Sequence, residues 1–237
     1  MPGPGRPPAV HRCAVHYSRS VRNFTVTDDV RDYAVGHGSW PPNEVIHKLR
    51  STTQALGDVA NMQIGDDQGQ LLTIMTRLVG ARRAVEVGTF TGYSSLCIAR
   101  GLVSGGSLLC CDVSEDWTAI ALRAWERAGL SDRIELRIGP ALQTLRALPL
   151  EADLDLAFID ADKPGYTAYW DELVPRVRQG GVLLADNVLW SGRIVDNTVS
   201  DEDTDALRAF NDKVAADDRV EVVVLTAFDG LTIARKL

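Results

Sequence analysis

Apolar and polar positions follow different rhythms on the two sides of residue 80. Before it, the pattern is helical. Asp28 and Asp29 follow Thr27 and suit the first turn of a short helix, which the stretch 36–42 interrupts. Asn43 is placed to cap a second helix running to about residue 61. A third helix is predicted over about 67–79, with Leu71, Leu72, Met75, Leu78 and Val79 on one face and Gly80 at its end. After residue 80, short apolar runs at 84–87, 107–111, 134–138, 154–159 and 181–185 alternate with helical stretches near 92–103, 115–128, 140–147, 164–178 and 203–216. Two last runs, 220–225 and 231–234, flank Asp229-Gly230, a pair suited to a tight hairpin. This order predicts an α/β fold: a Rossmann-like parallel sheet with helices on both faces, closed by a hairpin that adds one antiparallel strand.

No internal repeat or second core is visible, so one domain is expected over 21–237, with N-terminal helices to about residue 80. Residues 1–20 are rich in Pro, Gly, Arg and His and have no apolar stretch of the secretory kind, so they read as a flexible arm. The 237 residues fit one large α/β domain. With 25 Lys and Arg against 32 Asp and Glu, there is no basic footprint for phosphate backbones, so no nucleic-acid partner is expected. No run of 18 apolar residues occurs, so no membrane span is expected and a cytoplasmic location is. Cys13, Cys97, Cys110 and Cys111 form no C-x-x-C pair and read as buried, reduced thiols.

The run 84–87 leads into Gly88-Thr89-Phe90-Thr91-Gly92-Tyr93-Ser94-Ser95. A strand, a glycine turn and a helix N-terminus make a seat for a nucleotide-like ligand, and Gly88 lets the backbone approach it closely. The spacing is G-x-x-x-G, not the G-x-G-x-x-G of dinucleotide sites, so no pyrophosphate need rest on the helix. Glu86 would sit badly beside phosphates; it suits a cation such as the ammonium of a methionine moiety. Asp112, after the run 107–111, can accept from two ribose hydroxyls, or simply cap the helix that follows Ser114. Ile138-Gly139-Pro140-Ala141 would offer a backbone N–H and small residues to an adenine.

The run 154–159 delivers Asp160, Asp162 and Lys163 to its carboxyl end, and the run 181–185 delivers Asp186 and Asn187. Ligands of open α/β sheets bind at such ends. Two carboxylates and an amide oxygen are hard donors that suit Mg²⁺, Mn²⁺ or Ca²⁺ rather than zinc. An octahedral ion held by three protein oxygens keeps about three positions open, two of which adjacent substrate oxygens can fill. The plainer alternatives are a turn at Asp186-Asn187 and a surface ion pair at Lys163. Trp190, just beyond, reads equally as the wall of an aromatic pocket or as a core residue.

The segments Met62-Gln63-Ile64, Gln68-Gly69-Gln70, VEVGTFTGYSSL, CDVSEDW, FIDADKPGY, ADNVLWSGRIVD and DGLTIARK occur in that order over about residues 40–237. The set resembles the cation-dependent, S-adenosylmethionine-dependent O-methyltransferases: the caffeoyl-CoA type, their bacterial relatives and, more distantly, catechol O-methyltransferase. The resemblance implies a class I methyltransferase fold with a seven-stranded, mostly parallel sheet and one antiparallel strand. It implies S-adenosylmethionine and a divalent cation, magnesium first, with manganese or calcium as alternatives. It implies Asp160, Asp186 and Asn187 as metal ligands and Lys163 as general base. Met62, Ile64, Glu86, Gly88, Thr89, Tyr93, Ser94, Asp112, Ala141 and Asp160 would surround the cofactor, with Glu86 at the methionine end, Asp112 at the ribose and Ala141 at the adenine. A small phenolic acceptor with vicinal hydroxyls and a homodimer follow from the same resemblance.

Two departures bear on the acceptor. The stretch 195–205 is short and acidic and lacks the longer, more basic insertion that the plant enzymes use around a coenzyme A ester, so such thioesters are not expected. The first forty residues match no part of the family pattern. Two other classes share the strand–helix rhythm. An NAD-dependent oxidoreductase is disfavoured by the missing third glycine. A non-catalytic cofactor-binding module is disfavoured by the intact set of Asp160, Lys163, Asp186 and Asn187.

Overall fold

A computed structural model of the chain describes residues 26–38 and 43–237. The chain divides into two compact units, 1–38 and 39–237. In the first, α1 (Asp28–Gly36) starts where the sequence predicts, with the Thr27 side chain accepting from the Val30 N–H. The expected flexible arm, Cys13 and most of the interruption before Asn43 lie outside the described residues.

The second unit opens with α2 (Glu44–Gln54), a 3-10 helix (Gly57–Met62) and α3 (Asp66–Leu78). It continues with β1 (Arg83–Val87), α4 (Tyr93–Gly101), β2 (Ser107–Asp112), α5 (Glu115–Arg127), β3 (Ile134–Ile138), α6 (Ala141–Ala147) and β4 (Leu154–Ile159). Then come α7 (Tyr166–Leu173), β5 (Val177–Ala185), α8 (Glu202–Ala215), β6 (Val220–Leu225) and β7 (Leu231–Lys236). The strands form a seven-stranded sheet in the order β3-β2-β1-β4-β5-β7-β6, in which β7 alone runs antiparallel to its neighbours. The order turns back on itself between β1 and β4, which leaves a crevice at their carboxyl ends, where such sheets bind ligands.

Alternate residues of each central strand enter opposite layers, as the pleat requires. Leu156 and Phe158 of β4 join Ala84, Leu108 and Leu184 under α2, α3, α4 and α5. Ala157 and Ile159 join Val85, Leu183 and Ala185 under α6, α7 and α8. Both faces of the sheet are covered, which is why its parallel strands read as unbroken apolar runs.

Two helix ends and the buried face of one helix differ from the sequence reading. The helix from Asn43 stops at Gln54, and the rest of its predicted span is the 3-10 helix. The helix predicted to reach residue 178 ends at Leu173, because Val177 already pairs with Leu154 as β5 begins. Residues 178–181 bulge from that strand, with Gly180 at φ 76°, and so interrupt the apolar run that would have disclosed it. The apolar face of α3 is largely as predicted, with Leu72 buried and Leu71, Met75 and Val79 packed against the core, but Leu78 is 77% exposed and the fully buried positions include Gln68, Gly69, Thr73 and Thr76. The cause is close approach to α4. A Cβ on Gly69 would lie 2.9 Å from both Cys97 and Tyr93, and one on Gly101 would lie 2.5 Å from Thr76. The buried threonine hydroxyls donate to carbonyls one turn back, at Gly69 and Leu72.

Candidate active site

Two pairs of strand tips meet at the crevice. At the first, β1 carries Glu86 into the sheet, where it is fully buried. Its Oε2 accepts from the Cys110 thiol at 3.3 Å, while its Oε1 and the Oγ1 of Thr89 are buried without a hydrogen-bond partner. Burial pushes the Glu86 carboxyl up to about 7, against the opposing pull of nearby Ser94, Cys110 and Thr89. The turn that follows is tight. Gly88 has φ 92°, and a Cβ there would lie 2.1 Å from the Asp160 carbonyl oxygen. Asp112, at the end of β2, collects the loop: its Oδ2 accepts from the N–H groups of Thr89 (2.9 Å) and Phe90 (2.8 Å), and its Oδ1 from Ser114 (2.8 Å). Ser114, not Asp112, caps α5, its side chain accepting from the Trp117 N–H. Both lone-pair sites of Asp112 Oδ2 are taken, while Oδ1 keeps one for a further donor.

Ser94 and the Tyr93 backbone open α4 directly after Gly92, but the Tyr93 hydroxyl donates to Asp66 Oδ1 at 2.7 Å, into α3. Ala141 opens α6 and is buried. Met62 ends the 3-10 helix and is 47% exposed, whereas Ile64 is buried in the layer beneath α2–α5. An orphaned carboxylate oxygen and hydroxyl beneath a glycine turn fit a ligand that brings a cationic donor, as the methionine end of S-adenosylmethionine does.

At the second pair of tips most polar groups bond one another, while the Trp190 indole N–H is buried without a hydrogen-bond partner. Lys163 is buried, and its Nζ donates to Tyr166 Oη at 2.7 Å and to Asn187 Oδ1 at 2.9 Å, with Asp160 Oδ1 at 3.5 Å. The Tyr166 hydroxyl in turn donates to the Asp186 carbonyl oxygen at 3.0 Å. Asp186 Oδ2 accepts from Gln68 Nε2 at 2.7 Å and its Oδ1 from the Asn187 N–H at 2.8 Å. Burial, with Asp160 nearby, pushes the Asp186 carboxyl up to about 7, and burial raises Asp160 despite Lys163. Asn187 (φ 53°) and Trp190 (φ 48°) hold left-handed backbone conformations, which cost free energy for residues with a Cβ. The Trp190 ring lies 5.5 Å from Lys163 Nζ. Asp162 accepts from the Tyr169 hydroxyl at 2.6 Å.

The structure thus brings together Glu86, Thr89 and Asp112 at one tip, and Asp160, Lys163, Asp186 and Asn187 at the next. Among the described residues no group of three or more His, Cys, Asp or Glu side chains is arranged to hold a metal; the candidate donor set reaches three only with the Asn187 amide. Two carboxylates and an amide oxygen on adjoining tips still fit a hard divalent cation in chemistry and charge.

The family model described as O-methyltransferase matches residues 37–237. The chain belongs to the O-methyltransferase family. It is 33% identical over 234 residues to a probable caffeoyl-CoA O-methyltransferase of Dictyostelium discoideum, covering 97% of each chain. Among solved structures it is similar to an O-methyltransferase from Bacillus cereus in complex with S-adenosylhomocysteine, with 33% identity, a TM-score of 0.79, and coverage of 87% of this chain and 97% of that one. The S-adenosylmethionine complex of TomG from Streptomyces achromogenes gives 28% identity, a TM-score of 0.80, and coverage of 88% and 96%.

Reasoning from sequence assigned no role to Gln68, Tyr166 or Phe90. Tyr166 had a usable signal, standing three residues after Lys163. Gln68 had none in its local sequence, since it meets Asp186 from 118 positions away.

Proposed function

We propose that this O-methyltransferase moves a methyl group from S-adenosylmethionine to one hydroxyl of a small vicinal diphenol, with a divalent cation held by Asp160, Asp186 and Asn187. The observation that carries the reading is the convergence of Asn187 and Asp160 on Lys163 Nζ, with Asp186 on the adjoining tip and a buried carboxylate with an unpartnered oxygen beside them. The sequence and structural likeness to O-methyltransferases, two of them in complexes with S-adenosylhomocysteine or S-adenosylmethionine, supports the cofactor.

Bound S-adenosylmethionine supplies an activated methyl group, whose bond to sulfur breaks as its bond to the acceptor oxygen forms. The cation supplies Lewis acidity toward two adjacent phenolic oxygens. Glu86 would take the cofactor's ammonium, and Asp112 would take one ribose hydroxyl at Oδ1 while its Oδ2 holds the Thr89–Phe90 turn in place. Lys163 receives the phenolic proton at Nζ. A neutral amine there has two N–H groups, and Tyr166 Oη and Asn187 Oδ1 can accept both. The third oxygen near Nζ is Asp160 Oδ1, at 3.5 Å. Because the Tyr166 hydrogen is committed to the Asp186 carbonyl, its oxygen can only accept from Lys163, which fixes the direction of the amine. Trp190 forms a wall for the aromatic acceptor.

Incubation with radiolabelled methyl donor and a panel of mono- and diphenols, with and without chelator, tests the reading. Transfer to 1,2-diphenols that is lost with chelator and restored by Mg²⁺ is expected. Transfer indifferent to chelator would remove the metal, and equal turnover of monophenols would remove the vicinal pair.

A further inference from the structure

One side chain of the helical layer reaches the second pair of tips. Gln68, near the start of α3, is 3% exposed, and its Nε2 donates to Asp186 Oδ2 at 2.7 Å across 118 positions of sequence. An ionised carboxylate only accepts, so the amide has to turn its nitrogen, not its oxygen, toward Asp186. The Asn187 N–H meets the other oxygen, Oδ1, at 2.8 Å. The last torsion of an aspartate is broad and roughly two-fold, so its rotamer alone does not aim the carboxylate. One donor on each oxygen does.

The two donors differ in what holds them. The Asn187 N–H belongs to the same tip as Asp186 and moves with it. Gln68 stands on a helix that is anchored elsewhere. The Tyr93 hydroxyl of α4 donates to Asp66 at 2.7 Å, and Arg50 of α2 pairs with the same carboxylate. On the other side of Gln68, Gly69 lies so close to α4 that a Cβ there would come within 2.9 Å of Cys97 and Tyr93. The Gln68 amide is therefore a fixed reference for Asp186. It is also neutral. A lysine or arginine in its place would offset the charge of Asp186, and a glutamate would repel it. The amide aligns the carboxylate and leaves the two formal charges of Asp160 and Asp186 to a divalent cation.

We propose that Gln68 is a positioning residue that holds Asp186 in its cation-binding orientation and so sets how tightly the site takes a divalent cation. The proposal rests on the reading of Asp160, Asp186 and Asn187 as cation ligands. It adds to them a residue outside the strand tips, whose effect falls on cation affinity and not on the methyl-transfer step.

Mn²⁺ binding to the full chain, read from loss of the free-ion paramagnetic resonance signal with and without S-adenosylmethionine, is the test. The wild type is expected to withdraw Mn²⁺ from the free signal. Gln68→Met keeps the length of the side chain and loses the donor. It should bind Mn²⁺ roughly 10–100-fold more weakly, the usual cost of losing a partner of a metal ligand. Gln68→Asn, one methylene short of Asp186, should shift in the same direction. In diphenol methylation both variants should need correspondingly more Mg²⁺ for half-maximal rate and approach the wild-type kcat once it saturates. Thr73→Val is the control for damage to the helix. It deletes a buried α3 hydroxyl that donates to the Gly69 and Cys97 carbonyls, and it leaves Asp186 untouched. Its melting temperature should fall with Mn²⁺ affinity kept. Wild-type Mn²⁺ affinity in both Gln68 variants, or an equal loss in Thr73→Val, would overturn the inference and leave the cation site standing. A wild type that binds no Mn²⁺ would instead overturn the cation reading, and this inference with it.

Discussion

The two pairs of strand tips at the crevice differ in how their carboxylates and amine are engaged. At the β4–β5 tips the groups are committed to one another: Lys163 to Tyr166 and Asn187, Tyr166 to the Asp186 carbonyl, Asp186 to Gln68. At the β1–β2 tips Glu86 Oε1 and Thr89 Oγ1 are buried with nothing to bond. A closed network fixes its geometry before any ligand arrives, as a reacting centre needs. An open one carries a desolvation cost that an incoming donor removes, and that cost reappears as affinity. The contrast assigns turnover to one region and cofactor binding to the other.

Substitutions should separate along that line. The largest effect is expected from Asp160→Ala, which should bring diphenol methylation below detection at any added Mg²⁺; the variant's cofactor affinity, read by calorimetry, reports whether its second neighbourhood beside Gly88 survives. Lys163→Ala should lower kcat by roughly 10²–10⁴-fold, the usual worth of a general base, while calorimetric cofactor affinity stays near the wild type. Equal losses in kcat and affinity would erase the division between the two regions. Asp112→Ala should do the reverse, weakening cofactor binding by roughly 1–3 kcal/mol with kcat at saturation largely kept. An unchanged affinity would move the cofactor away from β2.

The smallest effect is a pH dependence, and it sharpens the contrast most. Glu86 is pushed up to about 7 in the empty protein, from an ordinary 4.5. The empty fold therefore holds a proton that the unfolded chain releases. The stability this contributes is fully present below pH 4.5 and is lost as pH rises through 7. A bound ammonium reverses the preference, so binding expels the proton. Cofactor affinity should rise between pH 6 and 8 by less than about tenfold per unit, with proton release measurable in buffers of different ionisation enthalpy. Glu86→Gln should flatten the profile, weaken binding, and raise the melting temperature of the empty protein at pH 8. A profile unchanged in that variant would show that another group titrates.

Much of this was legible in the chain because strands buried on both faces leave apolar runs, and the residue after each run stands at a carboxyl end. Asp112, Asp160 and Asp186 were found in that way. Glu86 was visible as a polar interruption inside such a run, although its complete burial was not. What escaped depends on contacts between distant segments. The polar flank of α3 that is buried against α4, Gln68, Gly69, Thr73 and Thr76, was missed because helix–helix closeness at Gly69 and Gly101, not hydrophobicity, buries it. The start of β5 was hidden by the bulge at 178–181. The valines of β6 announced a strand, but only the sheet order shows that it is an edge.

Gly88 leaves no room for a methyl group between its own backbone and the Asp160 carbonyl. The turn proposed to seat the cofactor and the strand end bearing a proposed metal ligand are thus in mechanical register, like two gears with no play. Any drift of one shifts the other. A side chain at position 88 is therefore expected to disturb both tips at once, so the distance between the proposed cofactor turn and the proposed metal ligand behaves as a single piece.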